Sequence, residues 1–143
     1  MSEDNLYILR ELIKGAKMGI EALDLIHDKA NEKDFKKVIT DLLRDYKDYS
    51  RKLDKFYEAN CDDEVVDNNP ISKVMTWYGL QFRTIMDDSD SKLSELTLQG
   101  LNMGIIEGRK FLNTKKIDKK VLGLLNEYID MQEEYVEKVK NYL

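Results

Sequence analysis

The sequence predicts an all-α protein: an up-down four-helix bundle with an additional short helix in the long crossover between its second and third long helices. Three observations lead there. Apolar residues recur at alternating spacings of four and three along four long stretches, the period of a helix face turned toward a bundle seam. Pro70 is the only proline among 143 residues, so little interrupts a helix. A polar, acidic loop at residues 59–69 separates the second stretch from the rest, where a crossover would begin.

The first helix has Ser2 as its cap, with Glu3 and Asp4 at the positive end of the helix dipole. Its seam is Leu9, Ile13, Ala16, Ile20 and Leu23, with Leu12, Gly19 and Ile26 in a second row, and it ends near Lys29 or Ala30. Asn31 followed by Asp34 marks the start of the second helix, whose seam runs Phe35, Ile39, Leu42, Tyr46, Tyr49, Leu53 and Phe56. The short link makes this pair an antiparallel hairpin. Asn69-Pro70 then reads as a cap and first helical residue, opening a shorter helix over residues 70–86. The run 87–90 (Asp-Asp-Ser-Asp) stops it and caps the next helix, expected at about 91–112. The last helix is expected at about 117–142, with seam Val121, Leu125, Tyr128, Gln132, Tyr135, Val139 and Tyr142.

Hydrophobic residues make up 42% and charged residues 36%, the balance of one globular domain, residues 1–143, with a well-solvated surface. The net charge of −5 repels a phosphate backbone, so nucleic acid is not an expected partner. No stretch approaches the roughly 18 apolar residues of a membrane-spanning helix. Cys61 is the only cysteine and the N-terminus is acidic, so a reducing, cytoplasmic setting is expected.

The chain contains an internal repeat. Residues 15–20 (Gly-Ala-Lys-Met-Gly-Ile) align with 100–105 (Gly-Leu-Asn-Met-Gly-Ile), four of six positions matching 85 residues apart. The second and fourth helices superpose their seams 86 residues apart, so that Tyr49 meets Tyr135. A glycine costs a helix interior about 1 kcal/mol. Gly15, Gly19, Gly100 and Gly104 on matching faces therefore point to close packing and to a duplicated helical hairpin.

Two hairpins joined by a long crossover resemble the ferritin-like superfamily. The aromatic-bearing helix with Trp77 ahead of the third long helix resembles in particular its small uncharacterised bacterial members. The resemblance implies mid-seam metal ligands, a glutamate on each of two helices and Glu-x-x-His on each of the others. The matching positions here hold Tyr46 and Tyr49, and Gln132 and Tyr135, while the first seam offers Ala16 and Ile20. No Glu-x-x-His occurs, and the single histidine, His27, lies near a helix end. The di-iron chemistry therefore does not carry over, and neither metal nor cofactor is expected.

Tyr46, Tyr49, Tyr128 and Tyr135 fall on inward positions with Gln132 as their natural partner. They read as a hydrogen-bonded core layer or, alternatively, as the wall of a small ligand pocket. Glu107, between Gly104 and Gly108, reads as a boundary residue reaching solvent or as a buried anchor. The acidic run 62–67 lacks the spacing of a calcium loop. No nucleophile elbow, phosphate loop or dinucleotide fingerprint is present. The reading that follows is a non-enzymatic bundle acting through protein partners or as a homodimer, with Val74, Trp77 and Leu80 on the crossover helix as its interaction surface. The alternative is a ligand-binding or vestigial redox bundle that uses the tyrosine and glutamine layer.

Overall fold

A computed structural model describes residues 1–61, 76–77, 79–81 and 86–143 of the chain. Every regular element among them is helical: α1 (Glu3–Lys29), α2 (Lys33–Asn60), α3 (Asp90–Thr114), α4 (Lys119–Val139) and a closing 3-10 turn, Lys140–Tyr142. Of the short crossover helix expected at 70–86, only residues 76, 77 and 79–81 lie among the described residues within a helix, and Val74 and the acidic run 62–67 lie outside them. No described helix is long and apolar enough to cross a membrane.

α1 begins as its sequence requires. The Ser2 hydroxyl accepts the Asn5 N–H, and Glu3 and Asp4 occupy the first turn. α2 begins differently from expectation. Its N-cap is Glu32, which makes no side-chain cap, and Asn31 does not serve as the cap. The acceptor comes instead from the start of α3: the Asp90 carboxylate takes the Asn31 N–H at 2.8 Å and the Glu32 N–H at 2.9 Å. A carboxylate accepting two N–H groups at a helix N-terminus satisfies orphan donors and meets the positive end of the dipole.

This contact also fixes direction. The start of α3 lies beside the end of α1, so α1 and α3 are antiparallel and α2 and α3 run the same way. The opposite end agrees, since the Asp118 N–H before α4 donates to Asn5 Oδ1 at 2.9 Å. Asn5 and Asp90 are 85 residues apart, and Glu32 and Asp118 are 86 apart. The two ends of the molecule are thus clasped by equivalent residues, each reaching from one hairpin into the other.

α1 packs along α2 and α3 along α4, and the pairs close on a shared core. Leu9, Phe35, Ile39, Leu42, Leu53, Leu93, Leu125 and Val139 are wholly buried. Each such side chain contributes roughly 1.5–3 kcal/mol when removed from water. The seam of α2 drifts at its far end: Tyr57 is buried, whereas Phe56 is only half-buried. A straight helix of 3.6 residues per turn falls behind a strict 3.5 repeat, and the face moves on by a residue.

Candidate functional site

The repeated glycines lie where the two hairpins meet. A side chain at Gly19 would put its Cβ 2.5 Å from a Tyr46 ring carbon, and one at Gly104 would fall inside the Gln132 carboxamide. Gly19 and Gly104 are 85 apart, and Tyr46 and Gln132 are 86 apart. Each hairpin therefore gives up a side chain on its first helix to seat the middle residue of its second. The close packing expected of these glycines is side chain against backbone within a hairpin. Gly15 serves the other hairpin, with the Tyr128 hydroxyl 2.9 Å from where its Cβ would stand.

The two seated residues meet at the centre. Tyr46 donates from its hydroxyl to Gln132 Oε1 at 3.0 Å, and Gln132 Nε2 donates to the Tyr128 carbonyl at 3.3 Å. Gln132 is wholly buried, so both halves of its amide need these partners. Two further members of the expected layer, Tyr49 and Tyr135, are buried, but their hydroxyls bond elsewhere. Tyr49 donates to the Leu124 carbonyl at 2.6 Å, and Tyr135 donates to the Asp45 carboxylate at the rim. Tyr128, the remaining tyrosine expected there, belongs to the layer, its ring edge-on to Tyr46 and stacked on Tyr49. Burial pushes the Tyr128 phenol up to about 12. A hydrogen bond with Tyr46 opposes the rise, and the negative charge of Glu107 adds to it. Burial also raises Tyr49, with Tyr128 and Glu127 adding.

Beside this solid layer a half-open hollow faces solvent. A cavity of about 320 Å³ lies between α1 and α3, with Tyr46 and Tyr128 on its wall. Each of the eight described residues that α1 contributes has its counterpart, 85 positions later, among those of α3: Gly15 and Gly100, Met18 and Met103, Gly19 and Gly104, Ile26 and Phe111, and the rest likewise. The cavity therefore straddles the axis relating the two hairpins. Gly15, Gly19, Gly100, Gly104 and Gly108 all lie on its wall. Its size lies at the lower end of ligand sites, and its mostly apolar wall with a few hydroxyls has their usual character.

The remaining candidates fall at the periphery. Glu107 is exposed, as a boundary residue, yet it also lines the cavity. His27 Nε2 pairs with the Thr40 hydroxyl at 3.0 Å near the end of α1. Cys61 closes α2, its N–H donating to the Tyr57 carbonyl. Trp77 is 40% exposed and Leu80 55% exposed. Among the described residues no three His, Cys, Asp or Glu side chains cluster closely enough to hold a metal ion. The alternative of a pocket walled by the tyrosines named Tyr46 and Tyr128, but its place between α1 and α3 escaped sequence reasoning, although the repeated glycine, methionine and glycine at 15, 18 and 19 and at 100, 103 and 104 mark its lining. Comparison with family models, curated proteins and solved structures finds no match for the chain.

Proposed function

We propose that the protein is a non-enzymatic helical bundle that takes a small, largely apolar molecule into the cavity between α1 and α3. The cavity carries the reading: about 320 Å³ of space, lined by Leu, Ile, Met and Phe side chains and by the Tyr46 and Tyr128 rings. Leaving such a wall uncovered forgoes the burial its apolar side chains would otherwise gain. The bundle is read as ferritin-like, supported by the common direction of α2 and α3, with Tyr46, Tyr49, Gln132 and Tyr135 where relatives would hold metal. The lone Cys61 and net charge of −5 favour a cytoplasmic role away from nucleic acid.

Titration calorimetry with 1-decanol tests this. One saturable site per chain is expected in the wild type, and none in Ala22→Phe, which fills the cavity from a lining position. Unsaturable uptake, or uptake unchanged in the filled variant, would refute it.

A second reading, self-association or a protein partner at the crossover, is favoured by the exposure of Trp77 and Leu80. Light scattering and pull-down of Trp77→Ala against wild type decide it. Loss of mass or of partners supports the surface, whereas unchanged association removes its best residue.

A further inference from the structure

The cavity is symmetric in shape and asymmetric in charge. Where α1 has Ala22, α3 has Glu107, and where α3 has Leu96, α1 has Glu11. These two carboxylates are the only charged groups among its described lining residues. Because α1 and α3 are antiparallel, Glu11 (before Gly19) and Glu107 (after Gly104) fall toward the same end. The other end is walled by Leu23, Ile26, Leu96 and Leu101.

The two acids are not equivalent. Glu11 has Lys14 at 3.6 Å. Glu107 makes no ion pair among the described residues, and the nearby Arg109 is engaged by Glu133 at 2.8 Å. Glu107 instead stands near aromatic groups: its charge reaches the Tyr128 hydroxyl, and Phe111 lies one turn further along α3. A carboxylate with no ion pair, near aromatic rings, is the chemistry that receives an alkylammonium, by ion pairing and by cation–π attraction. The same carboxylate repels a fatty acid, and no cation is among the described residues lining the cavity to offset it.

We infer that the cavity selects an apolar chain ending in a cationic amine, the ammonium held at Glu107 and the chain running toward Leu96 and Ile26. This rests on the ligand-binding reading above and adds its chemical class. Glu107 and Leu96 are eleven positions apart, about 16 Å at 1.5 Å per residue, which accommodates a chain of about ten carbons.

The test is calorimetric titration at pH 7 with decylamine, 1-decanol and decanoate, each below its micellar concentration, on wild type, Glu107→Gln and Ala22→Phe. Decylamine is expected to bind wild type at least tenfold more tightly than decanoate. Glu107→Gln should shrink that ratio to a few-fold while leaving decanol unchanged. Ala22→Phe should abolish the decylamine site. Equal binding of amine and acid by wild type overturns the inference, as does a Glu107→Gln variant that keeps the full ratio. So does decylamine binding that survives in Ala22→Phe, which would place the amine on the acidic surface. If decanol binds and discrimination is absent, only the inference fails. If none of the three binds, the ligand-binding reading fails with it.

Discussion

The first hairpin, α1 with α2, and the second, α3 with α4, share one frame and differ in chemistry. Gly19 seats Tyr46 as Gly104 seats Gln132, and Asn5 reaches Asp118 as Asp90 reaches Glu32. Positions that set distance between helices are alike in the two halves. Positions that carry polar chemistry have diverged: tyrosine faces glutamine at the centre, alanine stands opposite Glu107, and Leu42 has Tyr128 as its counterpart 86 residues on. The lesson is that backbone spacing and site chemistry rest on separate residues. The halves can be made more or less alike without changing how they fit.

The largest expected effect lies at Tyr128, a phenol that the first hairpin replaces with leucine. Its folded pKa is raised from 10.0 to about 12. Below pH 10 the phenol is neutral in folded and unfolded chains, and its contribution is intact. Above pH 10 the unfolded chain ionises first, so stability falls as pH rises, by roughly 2–3 kcal/mol by pH 12. Tyr49 is shifted in the same direction. Urea unfolding at pH 9, 10 and 11 should show a steeper loss in wild type than in Tyr128→Phe. Identical slopes would mean that Tyr128 does not feel its burial.

The glycine seats come next. Gly19→Ala drives a methyl into the rigid, buried Tyr46 ring, and should cost about 2–3 kcal/mol after overpacking is set against the gain in helix propensity. Gly104→Ala meets the end of an amide chain that can rotate away, at the expense of its bond to Tyr46. About 1–2 kcal/mol is expected there. Chemical denaturation of the two variants gives the order, and a larger loss at Gly104 would contradict it. The exposed Asn102, changed to Ala, serves as the neutral control.

The smallest effect is a gain. Gly123 stands where the first hairpin has Lys37, is exposed, and has nothing within 4 Å of a would-be Cβ. Gly123→Ala should raise stability by up to about 1 kcal/mol. A thermal melt that falls instead would show that the position needs glycine for its backbone.

The helices were legible because their signals are local. Ser2 and Ser89 cap α1 and α3, and both hydroxyls accept an N–H three residues on. The seams of α1, α2 and α4 follow from spacing. The cap of α2 was not legible locally, since its acceptor, Asp90, lies 58 residues beyond Glu32 in the chain. The partners of Tyr49 and Tyr135 escaped for a related reason: an inward position fixes where a ring points but leaves open which oxygen its hydroxyl meets. The central pair of Tyr46 and Gln132 was legible because both sit mid-seam and one needs what the other offers. The glycine repeat specified short distances but not their location. The same spacing serves two helices in contact or two helices standing apart while each receives side chains from its own neighbour.

The end clasps carry a consequence for the chain as a whole. Asn5 of the first half holds the second, and Asp90 of the second half holds the first. Residue i of one unit meets j of the other, and j meets i, which is the reciprocity of an isologous dimer interface. Here that interface is internal to one polypeptide. Cleavage of the chain between residues 61 and 86 would sever neither clasp, so the two fragments would retain every reciprocal contact that joins them.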